Sequence, residues 1–541
     1  LFLIGPVQPR TLEGDLVKSL AELVRVLDGV QFQGDPGLVV RDLAYDSREV
    51  KPGDLFVCVE GFRSDGHHFA AEAVRRGAVA LLVEREPEGV EGVPRIVVPD
   101  CRRAMAILAA EMMGRPADRL LTVGITGTNG KTTTSYLVEA VLKARGHNPG
   151  LLGTIEARVG GSVRRLANTT PESLDLHRLF AEIERSGQDS VVMEVSSHAL
   201  ALDRTYGIPY DIAVFTNLTQ DHLDFHGTME DYFQAKLRLF HKLGTCCHRP
   251  CNAYAVLNLD DPYGERVLAN LRVPFVTYGT RADAHIRAED IEASPDGLSY
   301  RLVTPLGVTR VNLQLSGLFN LHNSLAAISV GLALRMDLGR VVAAVESVWG
   351  VPGRFQLVRE GQDFTVVVDY AHTPDGLASL LRSARDITSG QLTAVFGCGG
   401  DRDRTKRPLM GEIGAALADR VILTTDNPRT EDPQDILNEI LEGTRSGKAQ
   451  VEVLQDRAEA IRQAIHSARP GDTVVVAGKG HETTQIFRDR KIRFDDVECA
   501  VEAIRSRPFR RTDRPPGMRP VVRWDLHRVR SETEMAVGLP G

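Results

Sequence analysis

One pattern constrains this chain above the rest. Strand-length apolar runs stop abruptly on glycine and charged residues, with helix-spaced segments between them. Four lie together late in the chain, "FTVVVDY", "LTAVFGCGG", "RVILTTDNPR" and "TVVVAGKGHE", separated by segments such as "DILNEILEG" and "AEAIRQAIHSA". A fully apolar run suits a strand buried on both faces, and strand–helix alternation implies a parallel, doubly wound sheet. "LTVGIT", "DSVVMEV" and "DIAVFTNL" announce an earlier parallel-sheet unit. Residues 11–114 alternate shorter strands ("AVALLVE", "RIVVPD") with turns, put two strands around the turn "KPGD", and show helical spacing in "CRRAMAILAAEMMG". The expected fold class is α/β in three domains. They are a small α/β N-terminal domain over 1–114, a central phosphate-loop, parallel-sheet domain over 115–351, and a C-terminal Rossmann-like doubly wound domain over 352–507. Pro and Gly in "VWGVPGRF" mark the last boundary. Residues 508–541, rich in Arg and Pro and without a period, read as a disordered tail.

Ligands of parallel sheets bind beyond the carboxyl ends of the strands. There the polar residues collect. "GITGTNGKTTT", Gly124 to Thr134, follows one strand and opens a helix whose stripe is Leu137, Val138, Val141 and Leu142. It departs from the strict G-x-x-x-x-G-K-[ST] pattern, because Ile125 stands where the first glycine belongs. A phosphate cradle needs inward N–H groups, a helix N-terminus, a Lys and a hydroxyl for Mg²⁺. Gly127, Thr128, Asn129, Gly130, Lys131, Thr132 and Thr133 supply them if the loop turns at Gly127. Glu194 ends its strand as a candidate second Mg²⁺ ligand, and His222 lies in "TNLTQDHLDFHG" with Asn217 and Asp221. Later strand ends carry Asp369 and His372, Arg402, Asp426 to Arg429, and Lys479, His481 and Glu482.

Composition excludes several classes. A net charge of −7 gives no global pull towards nucleic acid or an anionic membrane. No apolar run approaches the ~18 residues of a membrane span, so a cytoplasmic location is expected. The seven cysteines are sparse and odd in number, which fits reduced thiols. In "HKLGTCCHRPCNAY", His241, Cys246, Cys247, His248 and Cys251 cluster. Adjacent Cys–Cys suits a tetrahedral metal poorly, and a solvated loop is the expected reading.

In order along the chain stand "GITGTNGKTTT", "NTTPES", "MEVSSHAL", "TNLTQDHLDFHG", "DYFQAK", "SGLFNLHNSLAA", "DYAHTPD", "GCGGDRDRTKRP", "DNPR" and "GKGHE". This set resembles the Mur ligases, ATP-dependent amide-bond formers of peptidoglycan synthesis, over roughly residues 12–507. In that family the loop is spelled G-T-x-G-K-[TS], so Ile125 is no defect. The resemblance implies that the first domain holds a uridine nucleotide, the central one ATP, and the last the incoming amino acid. It implies that Tyr45 and Ser47 touch the uridine part, and that Asn168, Thr169, Thr170, Ser196 and Arg204 hold the muramoyl-peptide part. Leu202 stands where some relatives carry Gln. Asn320 and Asp369 are implied near the adenosine and Arg354 near phosphate.

The implied substrates are ATP, UDP-N-acetylmuramoyl-L-Ala-D-Glu and meso-diaminopimelate. The implied reaction phosphorylates the D-glutamyl side-chain carboxylate, and the amine then displaces phosphate from the acyl phosphate. Lys131, Lys236 and His222 are the implied catalytic residues. Thr132, Glu194, His222 and Lys236, the last as a CO₂-derived carbamate, are the implied Mg²⁺ set. Arg402, Asp426, Asn427, Pro428, Arg429, Gly478 and Glu482 are implied at the diaminopimelate, whose distal carboxylate suits an Arg fork. A monomer is expected. The alternatives are a lysine-adding muramoyl ligase, a folylpolyglutamate-synthase-like ligase and, from another class, a P-loop ATPase switch.

Overall fold

The computed structural model describes residues 17–61, 64–244 and 253–507, and the backbone of 522–524. The cysteine loop around Cys246, Cys247 and Cys251 lies outside the described residues, as does most of 508–541.

The first sheet has five strands in the order Gln31–Gln33, Arg95–Val97, Ala80–Val83, Leu55–Val57, Leu43–Ala44. The two strands flanking "KPGD" pair in parallel, Leu43 opposite Leu55. A 3-10 turn, Ser47–Glu49, capped by the Asp46 side chain, carries the chain back so that no hairpin forms. The helix Cys101–Met112 lies over this sheet, its apolar face sealed by Leu174 of the central domain.

The central sheet has twelve strands. Leu121–Thr126, the phosphate-loop strand, runs parallel between Ser190–Glu194 and Ile212–Phe215. Its strand-end loops therefore converge. The helix after it, Lys131–Arg145, ends at Gly146 in a left-handed turn (φ 104°). Leu137, Val138, Val141 and Leu142 are wholly buried, each stabilising by about 1.5–3 kcal/mol relative to exposure. Beyond Tyr254–Asn258 and Phe275–Gly279 the sheet turns antiparallel through Ile286–Ser294, Gly297–Thr304 and Gly307–Leu313. That meander alternates inside and outside, a weaker signal than the continuous apolar runs.

The third sheet runs Gln356–Leu357, Thr365–Asp369, Thr473–Ala477, Leu392–Phe396, Arg420–Leu423, Gln450–Val453. All pairs but the first are parallel. The four expected strands form its middle, and the edges are two strands of lower hydrophobicity.

Within 508–541 the backbone of one short strand is described. Val522–Trp524 pairs antiparallel with Ile291–Ala293 on the meander, because that edge offers unpaired backbone donors and acceptors. No helix among the described residues is long and apolar enough to cross a membrane.

Candidate active site

The phosphate loop is held by close backbone approach. Gly127 has φ 153°, and a Cβ there would sit 1.8 Å from the Thr216 hydroxyl oxygen. That contact is why glycine stands at 127 while Ile125 is buried within the strand. Thr128 N–H donates to the Asn217 carbonyl (2.9 Å), and Asn129 N–H to Asn217 Oδ1 (2.9 Å). Lys131 Nζ arches over the loop, donating to the carbonyls of Gly127 (2.9 Å) and Thr128 (2.8 Å). Burial pushes its pKa down, opposed by the charges of Glu194 and Asp221.

Thr132 donates its hydroxyl to Glu194 Oε2 (3.1 Å) and accepts from the Arg354 guanidinium (3.2 Å), a reach from the third domain into the loop. Arg354 also lies over the Tyr370 ring (4.8 Å), and its Nε is buried without an acceptor among the described residues. Glu194 is 1% exposed. Its carboxylate also accepts from Thr154 N (2.8 Å) and Thr154 Oγ1 (2.9 Å). Thr133 is buried in the first turn of the same helix.

Lys236 lies on the helix Met229–His241, 1% exposed, and donates to the Gly127 carbonyl (2.8 Å). Its ammonium sits 4.4 Å from the Tyr232 ring centre. Burial, and then the nearby Lys131 charge, hold its pKa well below the usual lysine value. A solvated helical lysine would show none of this. His222 has left-handed backbone (φ 54°) at the start of the turn Leu223–His226. Its ring packs edge-on against His198 (4.7 Å). Burial lowers its pKa, and lowers those of His198 and His226 to about 4. His198 and His226 are absent from the sequence-derived site; the histidines of "SSHAL" and "DFHG" were the available signal. No group of three or more His, Cys, Asp or Glu among the described residues is arranged to hold a metal; of the expected Mg²⁺ set, Thr132 and Glu194 are in direct contact through their side-chain oxygens.

The residues expected at the muramoyl peptide are tied to the same centre. Thr170 donates to the Glu194 carbonyl (2.9 Å) and accepts from Ser196 N (3.1 Å). Thr169 and Thr154 share a hydroxyl bond (3.0 Å). Arg204 donates to the Thr170 carbonyl (3.2 Å) and pairs with Glu172 (2.7 Å). The Ser196 hydroxyl caps a helix, accepting from Ala199 N (3.2 Å). Asn168 is exposed, and Leu202 ends the short helix that Ser196 begins. Tyr45 and Ser47, expected at the uridine, spend their hydroxyls within the protein. Tyr45 donates to Asp175 (2.6 Å) across the domain boundary, and Ser47 to Glu72 (3.2 Å).

Of the residues expected at the adenosine, Asn320 is 2% exposed and its amide donates to the Ser316 carbonyl (2.8 Å). Asp369 accepts from the N–H groups of Phe355 (2.6 Å) and Ala371 (2.7 Å), so it braces the linker into the third domain.

In the third domain, "DNPR" and "GKGHE" meet. Asn427 donates to Glu482 (2.8 Å). Gly478 (φ 115°) lies so near Asp426 that a Cβ would meet its carboxylate at 2.5 Å. Arg429 (φ 51°) donates from one nitrogen to the Gly400 carbonyl (2.8 Å). Pro428 is buried, whereas Arg402 is exposed. A cavity of about 480 Å³ opens beside this cleft, between the central and third domains, lined by Glu156, Arg164, Arg165, His481, Asp495 and Glu498 among others. Arg165 closes one side, donating to the His481 carbonyl (2.8 Å). Burial pushes His481 down to about 3.

A phosphate loop whose threonine hydroxyl is met by an arginine from the next domain defines a class: P-loop proteins whose loop is completed across a domain boundary. Family models match the Mur ligase family catalytic domain over 40–112, the Mur ligase middle domain over 125–331 and the Mur ligase glutamate ligase domain over 353–480. This chain belongs to the Mur ligase family.

Among curated relatives, the UDP-N-acetylmuramoyl-L-alanyl-D-glutamate--2,6-diaminopimelate ligase of Geobacillus thermodenitrificans (strain NG80-2) is 48% identical over 474 residues, 88% of this chain and 96% of that protein. The protein of the same name from Syntrophomonas wolfei subsp. wolfei is 46% identical over 491 residues, 90% of this chain and 99% of its own length. A solved structure of a UDP-N-acetylmuramoyl-L-alanyl-D-glutamate--2,6-diaminopimelate ligase matches with TM-score 0.64 at 34% identity, covering 91% of this chain and 99% of the other. Mycobacterium tuberculosis folylpolyglutamate synthase, at 20% identity and TM-score 0.58 over 70% of this chain and 93% of its own, shares the fold.

Proposed function

We propose that this chain joins meso-diaminopimelate to the D-glutamyl side-chain carboxylate of UDP-N-acetylmuramoyl-L-Ala-D-Glu, with cleavage of ATP to ADP and phosphate. The observation that carries this reading is the Arg429 loop. Its guanidinium is tethered at one nitrogen to the Gly400 carbonyl (2.8 Å) and reaches the backbone carbonyl of Asn427 (3.5 Å), whose side chain bonds Glu482 (2.8 Å). A fork held at one end suits the second, distal carboxylate of diaminopimelate, which L-lysine lacks. The names of relatives at 46–48% identity support the same substrate. Residues 1–114 take the uridine end, 115–351 the ATP, and 352–507 the amino acid.

A carboxylate resists attack by an amine until one oxygen becomes a leaving group. The loop N–H groups and Lys131 stabilise the charge on the transferred phosphoryl group as the acyl phosphate forms. Arg354 extends that positive surface from the third domain. With one amino group of the bound amino acid on Glu482, the other, as the neutral amine, then attacks the acyl carbon, the C–O bond to phosphate breaks, and the amine's proton is lost to solvent as the amide forms. Mg²⁺ fits the donors present. Thr132 and Glu194 are hard oxygen ligands 3.1 Å apart, and with His222 they would hold it. When bound it neutralises phosphate charge.

Lys236 is the seat of a carbamate. Only a neutral amine adds CO₂, and burial lowers the pKa of Lys236, which favours that form. The test supplies ATP, Mg²⁺ and muramoyl dipeptide with either diaminopimelate or L-lysine, and follows ADP release and product mass. ADP release that ignores the amino acid would replace this reading with a P-loop switch, and preference for lysine would overturn the substrate.

A further inference from the structure

Lys479 is a wholly buried charged residue of the third domain that the proposed reaction leaves without a role. It is 0% exposed, and a lysine is almost never fully buried unless paired. The backbone forces it there. Gly478 and Gly480 flank it with φ 115° and 52°, and a Cβ on Gly480 would meet the Tyr370 side chain at 2.7 Å and the Gly353 carbonyl at 2.8 Å. The loop is thereby pressed against the linker, and the intervening side chain turns inward.

There its ammonium has three acceptors: the Thr484 carbonyl (2.6 Å), Glu482 Oε2 (3.1 Å) and Asn427 Oδ1 (3.2 Å). Asn427 closes the triangle by donating its amide to the same Glu482 oxygen (2.8 Å), and its Oδ1 also accepts from Ile486 N (3.0 Å). Three donors and acceptors thus fix the Asn427 amide in one orientation. Glu482, 30% exposed in its side chain, is held among the described residues on its inner oxygen alone.

We propose that Lys479 is a positioning residue for amino-acid specificity: it locks Asn427 and Glu482 so that the outer Glu482 oxygen meets the ammonium of an incoming amino acid. The inference rests on the reading of this cleft as the amino-acid site. A carboxylate with both oxygens free would rotate, and a ligand would have to order it on binding. The buried ammonium performs that ordering beforehand. It touches no substrate itself. Its removal acts on the affinity of the amino acid, leaving the phosphate loop's handling of ATP alone.

The experiment uses the full chain with Lys479→Met, Glu482→Gln, the double variant, and Lys479→Gln, which keeps a donor of shorter reach. KM values for diaminopimelate, ATP and muramoyl dipeptide are measured beside circular dichroism of each protein. Lys479→Met is expected to raise KM for diaminopimelate at least tenfold and leave the other two within twofold. Lys479→Gln should fall between it and wild type. In the Glu482→Gln background the Lys479→Met effect should shrink, since the two act as one unit. An unchanged KM for diaminopimelate, three KM values rising together, additive effects in the double variant, or failure of both Lys479 variants to fold would each overturn the proposal. Wild type inactive with diaminopimelate would instead overturn the functional reading beneath it.

Discussion

The phosphate loop takes its residues, Gly127 to Thr133, from one unbroken stretch between a strand and a helix. The amino-acid cleft takes its residues from segments far apart in the chain, with Asn427 and Lys479 separated by 52 positions. Both rely on glycine where a strand end meets another loop, at Gly127 against Thr216 and at Gly478 against Asp426. They differ in what a single change removes. In the proposed reaction the loop's neighbouring N–H groups, lysine and hydroxyl would act on one phosphoryl group, so one deletion should weaken the chemical step for every substrate. In the cleft each side chain would read one feature of one ligand, so a deletion should alter choice before it alters chemistry.

The sharpest break of that comparison is Lys131→Ala. Loss of the phosphate-facing charge should lower kcat by about 10³-fold or more, equally with diaminopimelate and with lysine. Amide formation at near the wild-type rate would remove the loop from the mechanism.

Lys236→Ala should come next, with a loss of about 10²–10³-fold in a protein of native circular dichroism. Short carboxylates added to the assay should restore part of the activity by standing in for the carbamate. Full activity of the variant, or of wild type rigorously depleted of CO₂, would contradict the modification.

Arg429→Ala tests the other region. A charge-assisted hydrogen bond contributes ~1.5–3 kcal/mol, so kcat/KM for diaminopimelate should fall about 10²-fold. The value for lysine should change little, and KM for ATP should stay put. Equal losses with both amino acids would make the cleft behave like the loop and end the contrast.

The smallest effect belongs to Tyr45→Phe. The hydroxyl bonds to Asp175 across the first domain boundary (2.6 Å), and the half-exposed aspartate regains water, so about 1 kcal/mol of stability should go. Denaturant titration measures it. A tenfold rise in KM for the muramoyl substrate would instead return Tyr45 to the uridine contact that its sequence position implies.

The contrast also explains what could be read without coordinates. The loop, its helix and the apolar strands were legible because their signals are local: period, punctuation and the spacing of Gly130, Lys131 and Thr132. The meander over 286–313 was not, since half of each strand faces solvent and its alternation is easily lost among charges. Tyr45, Ser47 and Ser196 were named from motif position, which says nothing of where a hydroxyl points. The structure turns them to Asp175, Glu72 and a helix N–H. By its helical spacing alone Lys236 reads as an ordinary lysine; the family motif singled it out, and its burial beside Gly127 is what only the structure shows.

By itself the sequence determined the fold class, the phosphate loop and which residues stand at strand ends, because each follows from a few neighbouring side chains. Tertiary structure alone decided which strand ends are neighbours. Thr473–Ala477 enters the third sheet between Thr365–Asp369 and Leu392–Phe396, out of sequence order. Parallel strands are joined by crossovers over the sheet face, so an element late in the chain can take a central place. That insertion carries Gly478, Lys479 and Glu482 up to Asp426 and Asn427, and with them the contacts to which the proposed reading assigns the choice of amino acid.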